Sequence, residues 1–289
     1  MFAQINGTRL FFDIDGAGWT VNKDQLKEKP VCFVLHGGPG GNHVNFKPYL
    51  DKLTGEMQLV YIDNRGSGFS EEGPQSTYTL ENNVEDIESL RKYLGLNKIL
   101  LLGHSYGGMT AMSYADKYQE NLTGMILVAT SPSYRFIEKA ISYVAKHGTP
   151  EQKEIANVLW DGAFTSSEQL AKYYTLMAPL YSTADESAAD PSLRPETKKS
   201  YEAINQGFGG FLRKFDIIDK LPNVQVPTLV IAGRHDWITP VDENELIAEK
   251  IPNSEFVVFE NSSHNVLKDE AEAFNDTILE FVKGISSPK

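Results

Sequence analysis

The sequence contains little cysteine, no long hydrophobic run and comparatively little positive charge. The single cysteine among 289 residues, Cys32, excludes an intramolecular disulfide. It lies in the apolar run 31–35, where a buried structural thiol is expected rather than a nucleophile. The first residues lack a basic region followed by an apolar stretch, and no run approaches the roughly 18 apolar residues of a membrane span. We therefore expect no membrane association and a cytoplasmic location.

The charge balance also limits the partners. Lysine and arginine total 27 and aspartate and glutamate total 39, which gives a net charge of −12. This sign disfavours nucleic acid and anionic lipid, so the expected partner is a small molecule or short peptide. Acidity of this size is compatible with cationic substrates, but solubility alone is sufficient to explain it. The composition carries no signal for an oligomeric state.

Short apolar runs recur along the chain and predict strands. They are bounded by Gly, Pro or Asn, and the middle ones are continuous rather than alternating, as a parallel sheet buried on both faces requires. Between them lie stretches with helical spacing, such as residues 80–94. The pattern predicts an α/β fold with a mostly parallel central sheet and helices on both faces. The predicted strands are residues 9–14, 31–35, 58–63, 98–102, 124–129, 228–232 and 255–260.

The alternation of strands and helices is interrupted for about a third of the chain. Residues 133–221 are rich in helix formers and aromatic side chains, with breaks at Gly and Pro. We predict that this segment is a helical lid, inserted between a first core part, 1–132, and a second core part, 222–289. The small polar stretch 182–189 is predicted to be a surface loop within it.

The first motif with chemical meaning is Gly-His-Ser-Tyr-Gly at residues 103–107. It follows a predicted strand and precedes a predicted helix, which is the context of a nucleophile elbow. Side chains at Gly103 or Gly107 would crowd the neighbouring strand and helix, whereas the turn exposes the Ser105 hydroxyl. The Tyr106 N–H would then face an oxyanion. The alternative is a Gly-rich turn with an incidental serine, and the context favours the elbow.

A second glycine-rich loop, His-Gly-Gly-Pro-Gly-Gly at residues 36–41, follows the strand 31–35. In a hydrolase of this architecture that loop supplies the other oxyanion N–H, here from Gly37 or Gly38. A phosphate-cradling loop is the alternative, but neither a P-loop nor a G-x-G-x-x-G pattern is present.

A serine nucleophile needs a base and an orienting acid. The chain order serine, acid, histidine leaves three histidines after Ser105: His147, His235 and His264. His264 follows the last predicted strand and is the predicted base. Asp236 follows the strand before it and is the predicted acid, although a plain capping aspartate is the alternative.

The loop at residues 63–68 is predicted to have a structural role, and no metal site is predicted. In Asp-Asn-Arg-Gly-Ser-Gly at residues 63–68, Asp63 and Arg65 are expected to form an ion pair or a hydrogen-bonded turn that holds the site loops. No His-Glu-x-x-His motif occurs, and one cysteine cannot form a thiolate site, so no metal and no cofactor are predicted.

Together, these motifs resemble the proline iminopeptidase (prolyl aminopeptidase) family of α/β-hydrolases, over nearly the whole chain. The resemblance implies Ser105 as nucleophile with Asp236 and His264 as partners. It also implies oxyanion donors near Gly37 and at Tyr106, and a helical lid.

The sequence departs from the family in the acidic residues that would bind the substrate's amino group. Members that remove N-terminal residues hold the substrate ammonium with carboxylates, one commonly just after the triad aspartate, but here that residue is Trp237. Lid residues 204–210 contain no acid, so Glu202, Glu138 or another lid acid would have to substitute. The predicted substrate contacts are Trp237, Phe208, Trp160 and Glu202.

The predicted function is a serine hydrolase that forms an acyl-enzyme on a small amide or ester and, by the resemblance, releases an N-terminal residue, preferably proline. A carboxylesterase or lactonase acting on an uncharged ester is the alternative that Trp237 and the missing acid favour. An alternative of another class is a small-molecule binding protein that retains a nearly silent triad.

Overall fold

The structure, a computed structural model, describes residues 1–184 and 197–286. The predicted loop 182–189 lies for its larger part outside these residues, as do the last three residues of the predicted second core part. The strands of the described chain are β1 Phe2–Ile5, β2 Thr8–Asp15, β3 Trp19–Asn22, β4 Gln25–Glu28, β5 Val31–Leu35, β6 Gln58–Asp63, β7 Ile99–His104, β8 Leu122–Val128, β9 Thr228–Gly233 and β10 Ser254–Phe259.

Within the described residues, eight strands form one sheet in the order β1-β2-β6-β5-β7-β8-β9-β10. β1 pairs antiparallel with β2, and β2 pairs antiparallel with β6. Every neighbouring pair from β6 to β10 along this order is parallel. β7 lies at the centre, between β5 and β8, and is buried along almost its whole length. The continuous apolar runs therefore form the parallel sheet that their pattern predicts.

The helices of the described chain cover both faces of this sheet. Helices Leu80–Tyr93, Tyr106–Tyr118 and Val241–Lys250 pack with the helices between residues 135 and 181 and with helix Tyr201–Phe208 in one hydrophobic layer, and helix Ala271–Ser286 packs against the opposite face in a second layer. No helix in the described residues is long and apolar enough to cross a membrane. The helices are α1 Leu80–Tyr93, α2 Tyr106–Tyr118, α3 Arg135–His147, α4 Pro150–Trp160, α5 Ser167–Tyr181, α6 Tyr201–Phe208, α7 Val241–Lys250, α8 Val266–Asp269 and α9 Ala271–Ser286.

The N-terminal region contains three strands that the apolar pattern does not predict. β1 pairs with β2 at the edge of the main sheet, and β3 and β4 form a separate hairpin. The hairpin exposes its large apolar side chains, Trp19, Val21 and Leu26. Apolar and polar residues alternate only over the four residues Trp19–Asn22, and Leu26 is the one apolar residue of β4, so the pattern is shorter and weaker than that of the central strands.

The two ends of the segment between β8 and β9 lie beside each other. Ser133 forms a β-bridge with Asp216, and the Tyr134 N–H donates to the Phe215 carbonyl at 2.7 Å. Arg135 makes an ion pair with Asp216 at 2.9 Å. Helices α3 to α6 leave and re-enter the core at this one place, which is the geometry of an insertion.

Candidate active site

Ser105 stands between the end of β7 and the start of α2, in a backbone conformation with φ 56° and ψ −121°. A positive φ is uncommon for a residue with a side chain, and such strain concentrates at functional turns. A Cβ on Gly103 would lie 2.3 Å from the Gly107 carbonyl oxygen, and one on Gly107 would lie 2.1 Å from the Leu35 carbonyl oxygen. The predicted steric need for both glycines is confirmed, since the turn packs directly against β5 and against its own helix.

The glycine-rich loop after β5 approaches the Ser105 side chain closely. A Cβ on Gly37 would lie 3.0 Å from the Ser105 Cβ, and Gly38 has φ +122°, a conformation open mainly to glycine. The Asn64 N–H donates to His36 Nε2 at 3.1 Å, which leaves the proton on Nδ1, 2.8 Å from the Gly37 carbonyl oxygen. Burial lowers the pKa of His36 and keeps it neutral in this bridge. The bridge fixes the loop beside the serine.

His264 and Asp236 meet through a buried hydrogen bond. His264 Nδ1–H donates to Asp236 Oδ2 at 2.8 Å, which leaves Nε2 as the nitrogen able to take a proton. Asp236 Oδ1 accepts the backbone N–H groups of Ile238 and Thr239 at 2.9 and 3.0 Å, and the Thr239 hydroxyl donates to Oδ2 at 2.8 Å. The carboxylate is thus fully hydrogen-bonded and held in one orientation.

His104, the residue before Ser105, supports the loop that carries His264. Its Nε2–H donates to the His264 carbonyl oxygen at 3.0 Å, and the two imidazole rings lie 4.8 Å apart. Burial, followed by the nearby His264 charge, lowers the pKa of His104 to about 3. It therefore remains a neutral donor throughout the usual pH range.

Residues at the end of α5 also hold the His264 loop. Asn265 N–H donates to the Tyr181 carbonyl at 2.9 Å, and the Ser263 hydroxyl donates to the Leu180 carbonyl at 2.6 Å. Asp269 Oδ2 accepts the Ser263 N–H at 2.8 Å. Two hydrogen bonds thus connect the C-terminal end of α5 to the residues on either side of His264.

A cavity of about 200 Å³ opens above Ser105. This volume is smaller than the roughly 300–1,000 Å³ of drug-sized ligand sites and suits a small acyl group. The core lines it with Ser105, His264, Gly37, Gly38 and Tyr106. Helices α3 to α6 contribute mainly aromatic and aliphatic side chains, Phe136, Leu159, Tyr173, Tyr174, Tyr181, Ile204 and Phe208.

Of the four predicted substrate contacts, only Phe208 is among the residues that line this cavity. Trp237 is 2 % exposed and packs behind the wall, 5.4 Å from the Tyr181 ring and 6.2 Å from the Trp160 ring. Trp160 in turn packs on Phe208 at 5.8 Å. Glu202 lies at the start of α6, where its carboxylate accepts a hydrogen bond from Ser200 at 3.3 Å. The aromatic residues thus form a layer that supports the wall, because bulky apolar side chains gain most from full burial.

The described part of the cavity lining has an unexpected charge. Its residues include two lysines, Lys199 and Lys268, and no aspartate or glutamate. Glu138, the other acid considered as an ammonium ligand, is exposed on α3. Among residues 1–184 and 197–286, no group of three His, Cys, Asp or Glu side chains is placed to hold a metal ion.

Asp63 and Arg65 are both buried, but they do not pair with each other as an ion pair. Arg65 makes a bidentate contact with Asp86, at 2.6 and 2.8 Å, and Asp63 accepts hydrogen bonds from the His43 ring and backbone. Asp63 also accepts the Phe69 N–H at 2.9 Å. The predicted hydrogen-bonded turn is present at Asp63, whereas Arg65 ties the loop to α1.

Comparison with known proteins identifies the fold family of this chain. A family model of the alpha/beta hydrolase fold matches residues 30–271. The chain belongs to this α/β-hydrolase family. A proline iminopeptidase of Saccharolobus solfataricus is 31% identical over 278 residues, which cover 88% of this chain and 84% of the relative.

Solved structures of this hydrolase fold extend the comparison. An esterase from Exiguobacterium antarcticum superposes with a TM-score of 0.75 at 23% identity, covering 98% of each chain. A proline iminopeptidase of Mycobacterium smegmatis superposes with a TM-score of 0.74 at 22% identity, covering 99% of this chain and 98% of the other. At these identities the structures show the shared α/β-hydrolase fold.

Sequence reasoning missed Thr239, His104 and the two cavity lysines. Thr239 had a local signal, because a threonine three residues after an aspartate can donate its N–H and hydroxyl to the aspartate carboxylate within one turn. The lysines had none. Their approach to the cavity depends on how the lid and the loop after His264 pack on the core.

Proposed function

We propose that this chain is a serine hydrolase that cleaves a small ester or amide through an acyl-enzyme. The observation that carries the proposal is one cavity that holds Ser105 on a strained turn together with His264, whose Nδ1 is bonded to the buried Asp236. This is the arrangement of nucleophile, base and orienting acid that acyl transfer requires. Residues 133–221 act as the lid that shapes the cavity.

The proposed reaction begins when Ser105 Oγ attacks the substrate carbonyl carbon and gives its proton to His264 Nε2. Asp236 stabilises the imidazolium that forms, and the backbone N–H of Tyr106, with that of Gly37 or Gly38, stabilises the oxyanion. His264 then protonates the leaving amine or alcohol as the carbonyl reforms. Water, deprotonated by His264, attacks the acyl-enzyme and releases the acid and free Ser105.

Two substrate types have specific support. The proline iminopeptidase relative, 31% identical to this chain, supports an aminoacyl amide with a free N-terminal amine. The described cavity lining supports an ester or lactone instead, because it offers no carboxylate to a substrate ammonium. Burying an ammonium without a counter-charge is costly.

The test compares a prolyl arylamide, the same compound acetylated on nitrogen, and a short-chain p-nitrophenyl ester. Each is assayed with the wild type and with Ser105→Ala. Turnover of any of them that Ser105→Ala abolishes, together with stoichiometric fluorophosphonate labelling of the wild type alone, supports the proposal. Persistent labelling of a folded Ser105→Ala protein would refute the nucleophile assignment.

The pattern among the substrates then separates the two types. Preference for the free prolyl amine would favour the aminoacyl amide, and ester turnover without prolyl cleavage would favour the ester or lactone. Saturable ligand binding with no turnover of any substrate would instead indicate a binding protein with a silent triad.

A further inference from the structure

We infer that two tyrosines of helix α5, Tyr173 and Tyr181, donate one hydrogen bond to the bound substrate. Both line the cavity that holds Ser105 and His264. The substrate class is then an ester or amide that carries a further acceptor oxygen, beyond the atoms of the group that is cleaved. The inference rests on the proposed serine-hydrolase function and specifies its substrate.

The rings of both tyrosines are held in place by their neighbours. Tyr173 is 1% exposed, and its ring lies edge-on to the Phe164 ring with 5.7 Å between the centroids. The Tyr181 ring lies 5.5 Å from the His264 ring, and the Tyr181 carbonyl oxygen accepts the Asn265 N–H at 2.9 Å. The pair is therefore fixed beside the predicted base.

The two hydroxyl groups of this pair have one O–H hydrogen left over. Their oxygens lie 2.7 Å apart, so one hydroxyl donates to the other, and either one can be the donor. The accepting tyrosine keeps its own hydrogen, and no residue among 1–184 and 197–286 accepts a hydrogen bond from it. An O–H group withdrawn from water without an acceptor is costly, so a substrate oxygen that accepts this hydrogen stabilises the complex.

Both hydroxyl groups remain protonated over the usual pH range. Burial raises the pKa of Tyr173 and the pKa of Tyr181 well above the ordinary value for tyrosine. For Tyr181 the neighbouring Tyr173 raises the pKa further. The pair therefore supplies a neutral donor, whose hydrogen bond does not depend on the ionisation of either phenol.

The test replaces one methylene group of an ester by an oxygen. p-Nitrophenyl 3-methoxypropanoate is compared with p-nitrophenyl pentanoate, and p-nitrophenyl 4-methoxybutanoate with p-nitrophenyl hexanoate, so that the chain length is equal within each pair. A third pair, 3-methoxyphenyl butyrate and 3-ethylphenyl butyrate, places the oxygen on the leaving group. Each kcat/KM is divided by the rate constant for hydroxide hydrolysis of the same ester, which corrects for intrinsic reactivity.

We expect the corrected kcat/KM of the ether ester to exceed that of its hydrocarbon partner by about three- to tenfold in at least one pair, the effect of one neutral hydrogen bond. In the double variant, Tyr173→Phe with Tyr181→Phe, this ratio should fall to one or below. The ether oxygen would then be buried without a donor, which the hydrocarbon ester avoids. Urea unfolding verifies that the double variant is folded.

Two other tyrosines provide matched controls. Tyr143→Phe removes a hydroxyl group from α3, and Tyr143 is not among the residues that line the cavity. Tyr174→Phe removes a hydroxyl group from the lining itself, at the residue next to Tyr173. Both variants should keep the wild-type ratio of ether to hydrocarbon ester.

Four outcomes would overturn the inference. The first three are a corrected ratio below about twofold in every pair, a ratio that survives in the folded double variant, and a ratio that Tyr174→Phe alone abolishes. Each of these leaves the proposed function intact while turnover depends on Ser105. The fourth is a folded wild type that hydrolyses none of these esters, and if a fluorophosphonate also fails to label Ser105, the proposed function fails as well.

Discussion

Replacing Asp236 by asparagine tests the predicted orienting role most directly. In the structure, Asp236 Oδ1 accepts two backbone N–H groups, and Oδ2 accepts His264 Nδ1–H and the Thr239 hydroxyl, each at 2.8 Å. The asparagine oxygen must take the Oδ1 position, because the reverse orientation would point an NH₂ group at two N–H donors. Its NH₂ group then faces His264 Nδ1.

This geometry converts the base into the wrong tautomer. A donor facing Nδ1 moves the imidazole proton to Nε2, the nitrogen that has to accept the Ser105 proton. For a serine triad the expected loss is about 10⁴-fold in kcat, which corresponds to about 5.5 kcal/mol of transition-state stabilisation. Stability should change by only about 1 kcal/mol, because the Thr239 hydroxyl can rotate to accept a hydrogen bond from the new amide.

The assay measures kcat and the rate of fluorophosphonate labelling near pH 7, with urea unfolding to verify the fold. Asp242→Asn is the matched control, since that side chain is 62% exposed and pairs only with a surface lysine among the described contacts. It should retain kcat within about twofold. If folded Asp236→Asn keeps more than a tenth of the wild-type kcat, Asp236 does not orient His264 and the assignment is wrong.

Three further predictions concern stability and reactivity. Gly107→Ala places a Cβ 2.1 Å from a β5 carbonyl oxygen and should destabilise the fold by about 3 kcal/mol or more. Gly284→Ala, where the new Cβ meets no atom within 4 Å, should stabilise α9 by about 0.5–1 kcal/mol. Similar urea midpoints for the two variants would contradict this reasoning. Cys32 is fully buried, and burial raises the pKa of its thiol. A thiol reagent should therefore leave the native protein unlabelled and should label the unfolded protein at one thiol per chain. Rapid labelling of the native protein would contradict the burial of Cys32. Hydrogen bonds from the Arg91 guanidinium lower the pKa of Glu88 from 4.5 to about 2, so its contribution to stability is complete above pH 4.5 and is lost as the pH falls towards 2. The difference in unfolding free energy between wild type and Glu88→Gln should therefore shrink over that range, and a constant difference would disprove the linkage.

Local sequence patterns predicted the architecture well, because the burial of each strand and helix determines the spacing of its apolar residues. The parallel strands are continuous apolar runs, since both faces of the sheet are covered, and α1 follows its apolar spacing within one residue. The elbow was also predictable, because its glycines are required by contacts within a few residues of the turn and by the adjacent strand. Strand-end positions then brought Asp236 and His264 together.

Partners that are distant in sequence were not predictable in the same way. Arg65 pairs with Asp86 on α1, and Asp63 pairs with His43 after β5. The motif itself predicted an ion pair or a hydrogen-bonded turn formed by Asp63 and Arg65. A charged residue in a loop has several oppositely charged candidates, and only the packed arrangement selects one. The same reason explains why Trp237, which follows the predicted acid Asp236 in sequence, lies behind the cavity wall.

By itself, the sequence determined the α/β fold, the strained glycine-flanked turn at Ser105 and the strand-end positions of Asp236 and His264, because strand pattern, steric need for glycine and chain order are local properties. Only the tertiary structure decided which side chains line the cavity. Phe208 reaches the cavity while Trp160 supports it from behind, and two lysines from separate segments line a site in an acidic protein. The physical reason is that a cavity is formed between the lid and the core, so its shape and charge arise from packing between segments far apart in the chain.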